Sequence, residues 1–268
     1  MNQPAPYIHP DAQIHPSAVI APFAYIEGDV VIGEGCWIGP HACIMNGARL
    51  GKNIRVFPGA VVSGIPQDLK FDGEVTTTEI GDGTTIRECV TISRGTKDRF
   101  KTVIGENCLI MAYVHVAHDC IIGNHVILGN SVQVAGHVTI EDWAIISGAS
   151  AIHQFVQVGA HSMVAGGSLV RKDVPPFIKA AREPLAYAGI NTIGLRRRGY
   201  SHEQIDSIHN CFRLLYQKGL PVSKALEQIE AEIPDSDEKA QLTTFLKRSN
   251  RGVIKGFETE MKDTDFGF

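Results

Sequence analysis

The chain has no paired cysteines. Its six, Cys36, Cys43, Cys89, Cys108, Cys120 and Cys211, never fall into a CxxC spacing, which argues for buried reduced thiols over a disulfide framework or a zinc knuckle. Nor is positive charge in excess. A formal net charge of −4 speaks against a general nucleic-acid-binding surface. No stretch of roughly eighteen apolar residues occurs, and the start, "MNQPAPYIHP", lacks a basic segment followed by an apolar one. Neither a membrane span nor a secretory leader is expected, and the chain reads as cytoplasmic. Its 268 residues allow one large core or one domain with an appendage.

Over most of the chain neither the 3.6 period of a helix nor the 2 period of a half-buried strand is found. The period is six. Every sixth residue from Ile8 to Val56, again at Ile80, Ile86 and Ile92, and then from Ile104 to Val170 is Ile, Leu or Val. Four residues after each comes a small or β-branched residue such as Ala24, Cys36, Cys120 or Ala144, Ile54 being the one large exception. Eight repeats also carry glycine directly after the aliphatic residue, among them Gly33, Gly123 and Gly159. This pattern suits a three-sided parallel β-solenoid: the aliphatic residue points to the axis, the small one fills a corner, and glycine tolerates a turn torsion or a close approach. Residues 8–61, 80–97 and 104–175 supply eight coils, a prism about 38 Å tall at the usual strand spacing.

The expected architecture is mainly β: a prism over residues 1–175 with excursions at 62–79 and 98–103, then a linker and a small α-helical C-terminal domain over 176–268. Within "SHEQIDSIHNCFRLLYQKGL", Ser201 and Gln204 stand at capping-box spacing, Ile205, Ile208, Phe212 and Leu215 share a face, and Gly219 stops the helix. Shorter helices are expected near 222–233 and 237–248. The last ten or so residues, in "ETEMKDTDFGF", read as disordered.

Counted from Ile8, the repeats of Val116, Val134 and Ile152 fall on one face. His118, His137 and His153 are therefore expected together in three successive coils, about 4.8 Å apart. His115 is placed at the corner before His118, and His125 and His161 on another face. Such a stack has three readings: surface histidines, imidazole ligands for a metal, or a general base, since Asp119 follows His118 and can orient its ring.

The repeat resembles the hexapeptide-repeat acyltransferases, whose prism is a left-handed β-helix. The hand comes from that resemblance alone, because parallel crossovers are ordinarily right-handed. Within that group, "PQDLKF", "IRECVTISRGT", "HVAHDC", "VAGHVTI", "AIHQF", "DVPP" and "GINTIGLRRRG" resemble, in order and spacing, the UDP-N-acetylglucosamine 3-O-acyltransferases that begin lipid A synthesis in Gram-negative bacteria. The resemblance covers nearly the whole chain and implies direct transfer of a 3-hydroxyacyl group from an acyl carrier protein thioester to the sugar 3-hydroxyl, without cofactor or metal, by a homotrimer with clefts between prisms. It implies His118 as general base, Asp119 as its orienting carboxylate and the Gly136 N–H as oxyanion donor. Asp68 and Lys70 are implied to contact the sugar, and His115, His137, His153 and Gln154 to line the acceptor and thioester cleft. Asn191, Arg197 and Arg198 are implied to hold the donor arm or nucleotide phosphates, as a planar guanidinium fork suits. Gly166 is implied to floor an acyl pocket open to fourteen carbons or more.

The chain departs from the family pattern at Ser93 and Pro184, where histidine is usual, and at Ile193, where an acid is usual; these bear on chain-length selection and fine contacts. Three rivals make distinct demands. A zinc enzyme similar to the γ-class carbonic anhydrases needs stoichiometric metal. A noncatalytic scaffold needs no base. The related N-acyltransferase is expected to carry an N-terminal uridine-binding domain, whereas here the hexapeptides begin at residue 8.

Overall fold

Each repeated aliphatic residue closes a short strand. In the computed structural model, which describes residues 4–256, the prism strands are mostly two residues long, as in His115–Val116, Ile121–Ile122 and Ile127–Leu128. The aliphatic side chain points inward, and four backbone positions then turn the corner. Successive coils pair in parallel 18 residues apart, Val116 on Val134 on Ile152 on Val170. Three sheets result, of nine, eight and ten strands. Val116, Val134 and Leu128 are completely buried, as is the corner thiol of Cys120, and each such aliphatic side chain contributes about 1.5–3 kcal/mol on burial.

The corners divide two tasks that the sequence had merged. The third residue after the aliphatic one adopts a left-handed conformation, and it is often not glycine: Asp119 (φ 59°), His125 (55°), His137 (62°), Trp143 (63°) and His161 (58°) all sit there. Such a torsion costs an L-residue roughly 1–2 kcal/mol. Coil-to-coil hydrogen bonds help offset it, as when the His137 N–H donates to the His118 carbonyl at 3.1 Å. The glycine directly after the aliphatic residue serves a different need. A Cβ on Gly123 would fall 2.7 Å from the Asp142 nitrogen in the coil above, so close packing of coils selects glycine there.

Cys36, Cys108, Cys120 and Cys211 are buried and all six cysteines are free. Burial pushes the Cys120 thiol up to about 12.

Two excursions leave the prism, over residues 65–76 and 94–100. The first is shorter than the expected 62–79 because the strands Val61–Gly64 and Thr77–Ile80 extend the ladder, and the second lies a few residues before the expected 98–103 because the strand Thr91–Ser93 ends early and Lys101–Ile104 rejoins the ladder. Both leave the corner between the first and second sheets. The ladder also runs past residue 175: Ile178–Ala181 pairs in parallel with Met163–Val164, and Ala186–Ile190 returns antiparallel. Four helices follow, α1 (Thr192–Arg197), α2 (His202–Tyr216), α3 (Val222–Glu232) and α4 (Asp237–Arg248). The capping box of Ser201 and Gln204 is present. α1 was not expected, since its six residues are too few for a periodic signal. Tyr187, Phe212 and Tyr216 stack to hold the helices to the prism, and Asp173 and Ala186 form bridges to Val253 and Lys255. The tail expected to be disordered lies outside the described residues from 257 on. No described helix is long and apolar enough to cross a membrane.

Candidate active site

His118 and Asp119 occupy the corner after the strand His115–Val116. His118, His137 and His153 thus lie along one corner, between the first and second sheets, and not on a flat face. The aliphatic residue ends its strand instead of opening it, which also moves His115 from a corner into the strand. There the half-buried His115 ring lies 2.8 Å from the Thr91 hydroxyl. Burial, and then the nearby His118, lower its pKa.

The His118 Nδ1 is 2.8 Å from Asp119 Oδ2. Asp119 is completely buried. Burial alone pushes its carboxyl up, but hydrogen bonds from the Thr96 hydroxyl, the His118 ring and the backbone N–H groups of Thr96 and Arg99 bring it below the ordinary aspartate range. An ionised carboxylate only accepts, so Nδ1 carries the shared proton, and in the neutral ring the lone pair is then on Nε2. Nε2 faces outward, 4.0 Å from Asp68 Oδ2 in the first excursion. The backbone beside the ring must be glycine: a Cβ on Gly136 would lie 2.8 Å from both Cε1 and Nε2 of His118.

His137 meets His118 edge to face with ring centroids 5.1 Å apart, and Phe155 stacks on its other side at 4.5 Å. Its Nδ1 lies 3.1 Å from Asp98 of the second excursion. The site is thus a prism corner carrying the imidazoles, with two excursions bringing carboxylates over it. Thr96, Asp98 and Arg99 in the excursion and Thr102 in the strand after it belong to this arrangement and were missed, because nothing in a loop's composition marks which corner it folds over.

His118, Asp119 and His137 bring one ligand-type atom each within 4.8 Å of one another, a spacing that a metal ion could bridge. The carboxylate is nevertheless engaged on both oxygens: Oδ1 accepts from the Thr96 and Arg99 N–H groups, and Oδ2 from the Thr96 hydroxyl and His118. That is the pattern of a group orienting an imidazole.

Other expected residues scatter. Lys70 in the first excursion, His153 and Gln154 at the corner of His118, and Gly166 at the corner between the third and first sheets are all exposed. A Cβ on Gly166 would meet the Gly148 carbonyl at 3.2 Å. Asn191 is buried and caps α1, accepting from the Gly194 N–H while its amide donates to the His161 carbonyl. Arg198 lies over the Trp143 ring, 5.1 Å from its centroid, and donates to the Trp143 carbonyl, at the corner between the second and third sheets. Arg197 is exposed. His125, expected on another face from His118, stacks on Trp143 at 4.0 Å. Ser93 is buried at its strand end, Ile193 is exposed, and Pro184 lines an apolar cleft of about 650 Å³ with Leu169, Leu185 and Ile254.

Residues 173–254 match the family described as Udp N-acetylglucosamine O-acyltransferase, domain 2, and residues 101–136 match the bacterial transferase hexapeptide (six repeats). Among similar proteins, one from Herminiimonas arsenicoxydans is 41% identical over 90% of this chain and 99% of its own length, and one from Xylella fastidiosa is 42% identical over 95% and 100%. Both are named acyl-(acyl-carrier-protein)–UDP-N-acetylglucosamine O-acyltransferase. The solved structure of LpxA, a UDP-N-acetylglucosamine acyltransferase, from Bacteroides fragilis superposes with a TM-score of 0.93 at 52% identity, covering 95% of this chain and all of that one. That of the UDP-N-acetylglucosamine acyltransferase of Francisella novicida gives 0.90 at 39%, covering 93% and 92%.

Proposed function

Because the chain belongs to the UDP-N-acetylglucosamine O-acyltransferase family, with its left-handed parallel β-helix, we propose that it moves a 3-hydroxyacyl group from an acyl carrier protein thioester to the 3-hydroxyl of UDP-N-acetylglucosamine, the first step of lipid A biosynthesis, with His118 as general base. The observation that carries the assignment of the base is the 2.8 Å contact of His118 Nδ1 with the buried Asp119 carboxylate, which directs the free Nε2 outward.

Nε2 takes the proton of the sugar hydroxyl as its oxygen attacks the thioester carbonyl. The Gly136 N–H receives the developing oxyanion, a kind of donor worth about 10² to 10³ in rate. On collapse the C–S bond breaks, and the His118 imidazolium returns its proton to the departing sulfur. Asp68, close to Nε2, and Lys70 in the same excursion hold the sugar. His115, His137, His153 and Gln154 line the cleft, Asn191, Arg197 and Arg198 serve the donor arm and nucleotide, and Gly166 leaves the acyl path open for chains of fourteen carbons or more.

The functional unit is a trimer, in which a neighbouring prism closes the cleft. The exposure of the strand residues Ile121, Met163 and Leu169 supports this, since apolar residues on flat prism faces suit self-association. The cytoplasm is the setting, in keeping with six free cysteines. Mass spectrometry of products from UDP-N-acetylglucosamine and a mixture of 3-hydroxyacyl carrier proteins tests the activity. The expected product is the 3-O-acylated sugar nucleotide carrying a long chain; absence of any acylated product, or wild-type turnover by His118→Ala, overturns the reading.

A further inference from the structure

The carboxylate behind His118 is held mainly from outside its own coil. Its backbone is fixed by Thr102, whose hydroxyl accepts from the Asp119 N–H at 2.9 Å, and by the Arg99 guanidinium, which donates to the Asp119 carbonyl at 2.8 Å. Its two oxygens are oriented by the excursion 94–100. The Thr96 hydroxyl donates to Oδ2 at 2.7 Å, the same oxygen that holds His118, and the Thr96 N–H donates to Oδ1 at 3.0 Å. Thr96 itself is buried, 6% exposed, and its hydroxyl also accepts from the Asp98 N–H at 3.3 Å. The hydroxyl thus lies in a chain running from the Asp98 backbone through Thr96 to Asp119 and the imidazole, where each donor polarises the next.

We propose that Thr96 is a positioning residue for the acyl-transfer base: its hydroxyl fixes the Asp119 oxygen that fixes His118, so the excursion, and not the hexapeptide repeat, sets the catalytic imidazole. This rests on the reading of His118 as general base. A donor on Oδ2 does two things. It holds the carboxylate plane in line with Nδ1, and it weakens that oxygen's pull on the shared proton. Without it the carboxylate is held through Oδ1 alone, and Oδ2, with one donor fewer, holds the imidazolium more tightly, so the neutral, productive form of the base is reached at higher pH.

The other charged or titratable groups around the pair stay in place in the test. They are Asp68 facing Nε2 at 4.0 Å, His137 edge-on, His115 from the strand, Asp98 against His137 and Arg99 on the Asp119 carbonyl.

Full-length Thr96→Val, Thr96→Cys and Thr96→Ser are compared with wild type and His118→Ala, using UDP-N-acetylglucosamine and a 3-hydroxyacyl carrier protein across the pH range. Thr96→Val, nearly isosteric, is expected to lose about tenfold in kcat with KM little changed. Its acid limb of kcat/KM is expected to move up by about half a pH unit. Thr96→Ser restores both, and Thr96→Cys, with its weaker donor, falls between. Wild-type kcat and an unmoved limb in Thr96→Val, or equal losses in Val and Ser variants with unmoved limbs, overturn the assignment of Thr96. Inactive His118→Ala beside an unaffected Thr96→Val overturns Thr96 alone; wild-type turnover by His118→Ala overturns the base itself.

Discussion

Two corners of the prism are built from the same repeat and end differently. Both carry histidines at the left-handed turn position, His137 at one and His125 and His161 at the other. At the first corner the rings of His118 and His137 meet carboxylates, Asp119, Asp68 and Asp98. At the second, His125, Trp143, His161 and Phe177 form a stacked ladder, closed by Arg198 over Trp143 and Tyr200 against His161. The repeat supplies a rigid rack of side chains at coil spacing, and whatever folds over the rack decides its chemistry. Excursions bearing acids set carboxylates over one corner, and the helical segment bearing Arg198 and Tyr200 packs the other into a seam.

Deleting one histidine at each corner is the harshest test of this contrast. His118→Ala is expected to lose about 10² to 10⁴ in kcat and to keep its thermal midpoint. His161→Ala should do the reverse, melting several degrees lower with kcat unchanged once folded. Steady-state kinetics and melting on the same preparations decide it; a stable but inactive His161→Ala would erase the distinction. Gly136→Ala comes next. The new Cβ would lie 2.8 Å from two His118 ring atoms, so the ring must shift, and a misplacement near 1 Å costs roughly 10²-fold in rate. A substitution this small lowering kcat while KM holds would localise the loss to the ring; unchanged kcat would mean the ring has more freedom than its contacts imply.

The prism was legible because its rule is local and repeated: every aliphatic position from Ile26 to Val170 that the period picked out faces the axis, and the capping box at Ser201 starts α2 as expected. Phase was less legible, since a period says how often residues recur and not whether the aliphatic one opens or closes a strand, and so His118 was put on a face instead of a corner. The hand was invisible to the period, which is the same for either. Of the site, the dyad of His118 and Asp119 could be read because its members are adjacent. Its supports could not: Thr96, Asp98 and Arg99 reach the dyad through a loop that leaves the corner one coil away. Asn191 and Arg198 show the converse, residues picked for their chemistry that also have full structural employment, capping α1 and lying on Trp143.

The neighbouring arginines offer a milder test. Arg198 gives up a ring contact and a hydrogen bond to the Trp143 carbonyl in Arg198→Ala, together about 1–2 kcal/mol. Arg197 is exposed, and Arg197→Ala is expected to raise the KM for a substrate with no change in melting. Chemical denaturation and KM measured on both variants separate the roles, and a destabilised Arg197→Ala would move that residue into the seam.

The smallest effect is a pH dependence confined to the second corner. Burial first, and then the charge of Arg198, push His161 down to about 4, with Asp142 acting in the opposite sense. The unfolded chain takes up the proton near the ordinary histidine value of about 6.5, so between these two values the unfolded state binds the proton that the folded state refuses. The stability held by neutral His161 is therefore complete above about pH 6.5 and is lost as pH falls toward 4. His161→Phe keeps the stack with Trp143 and Phe177 but cannot titrate. Its melting-point deficit against wild type should be widest near neutral pH and narrow toward about pH 5, while a deficit constant across that range would mean that the seam holds His161 by packing alone.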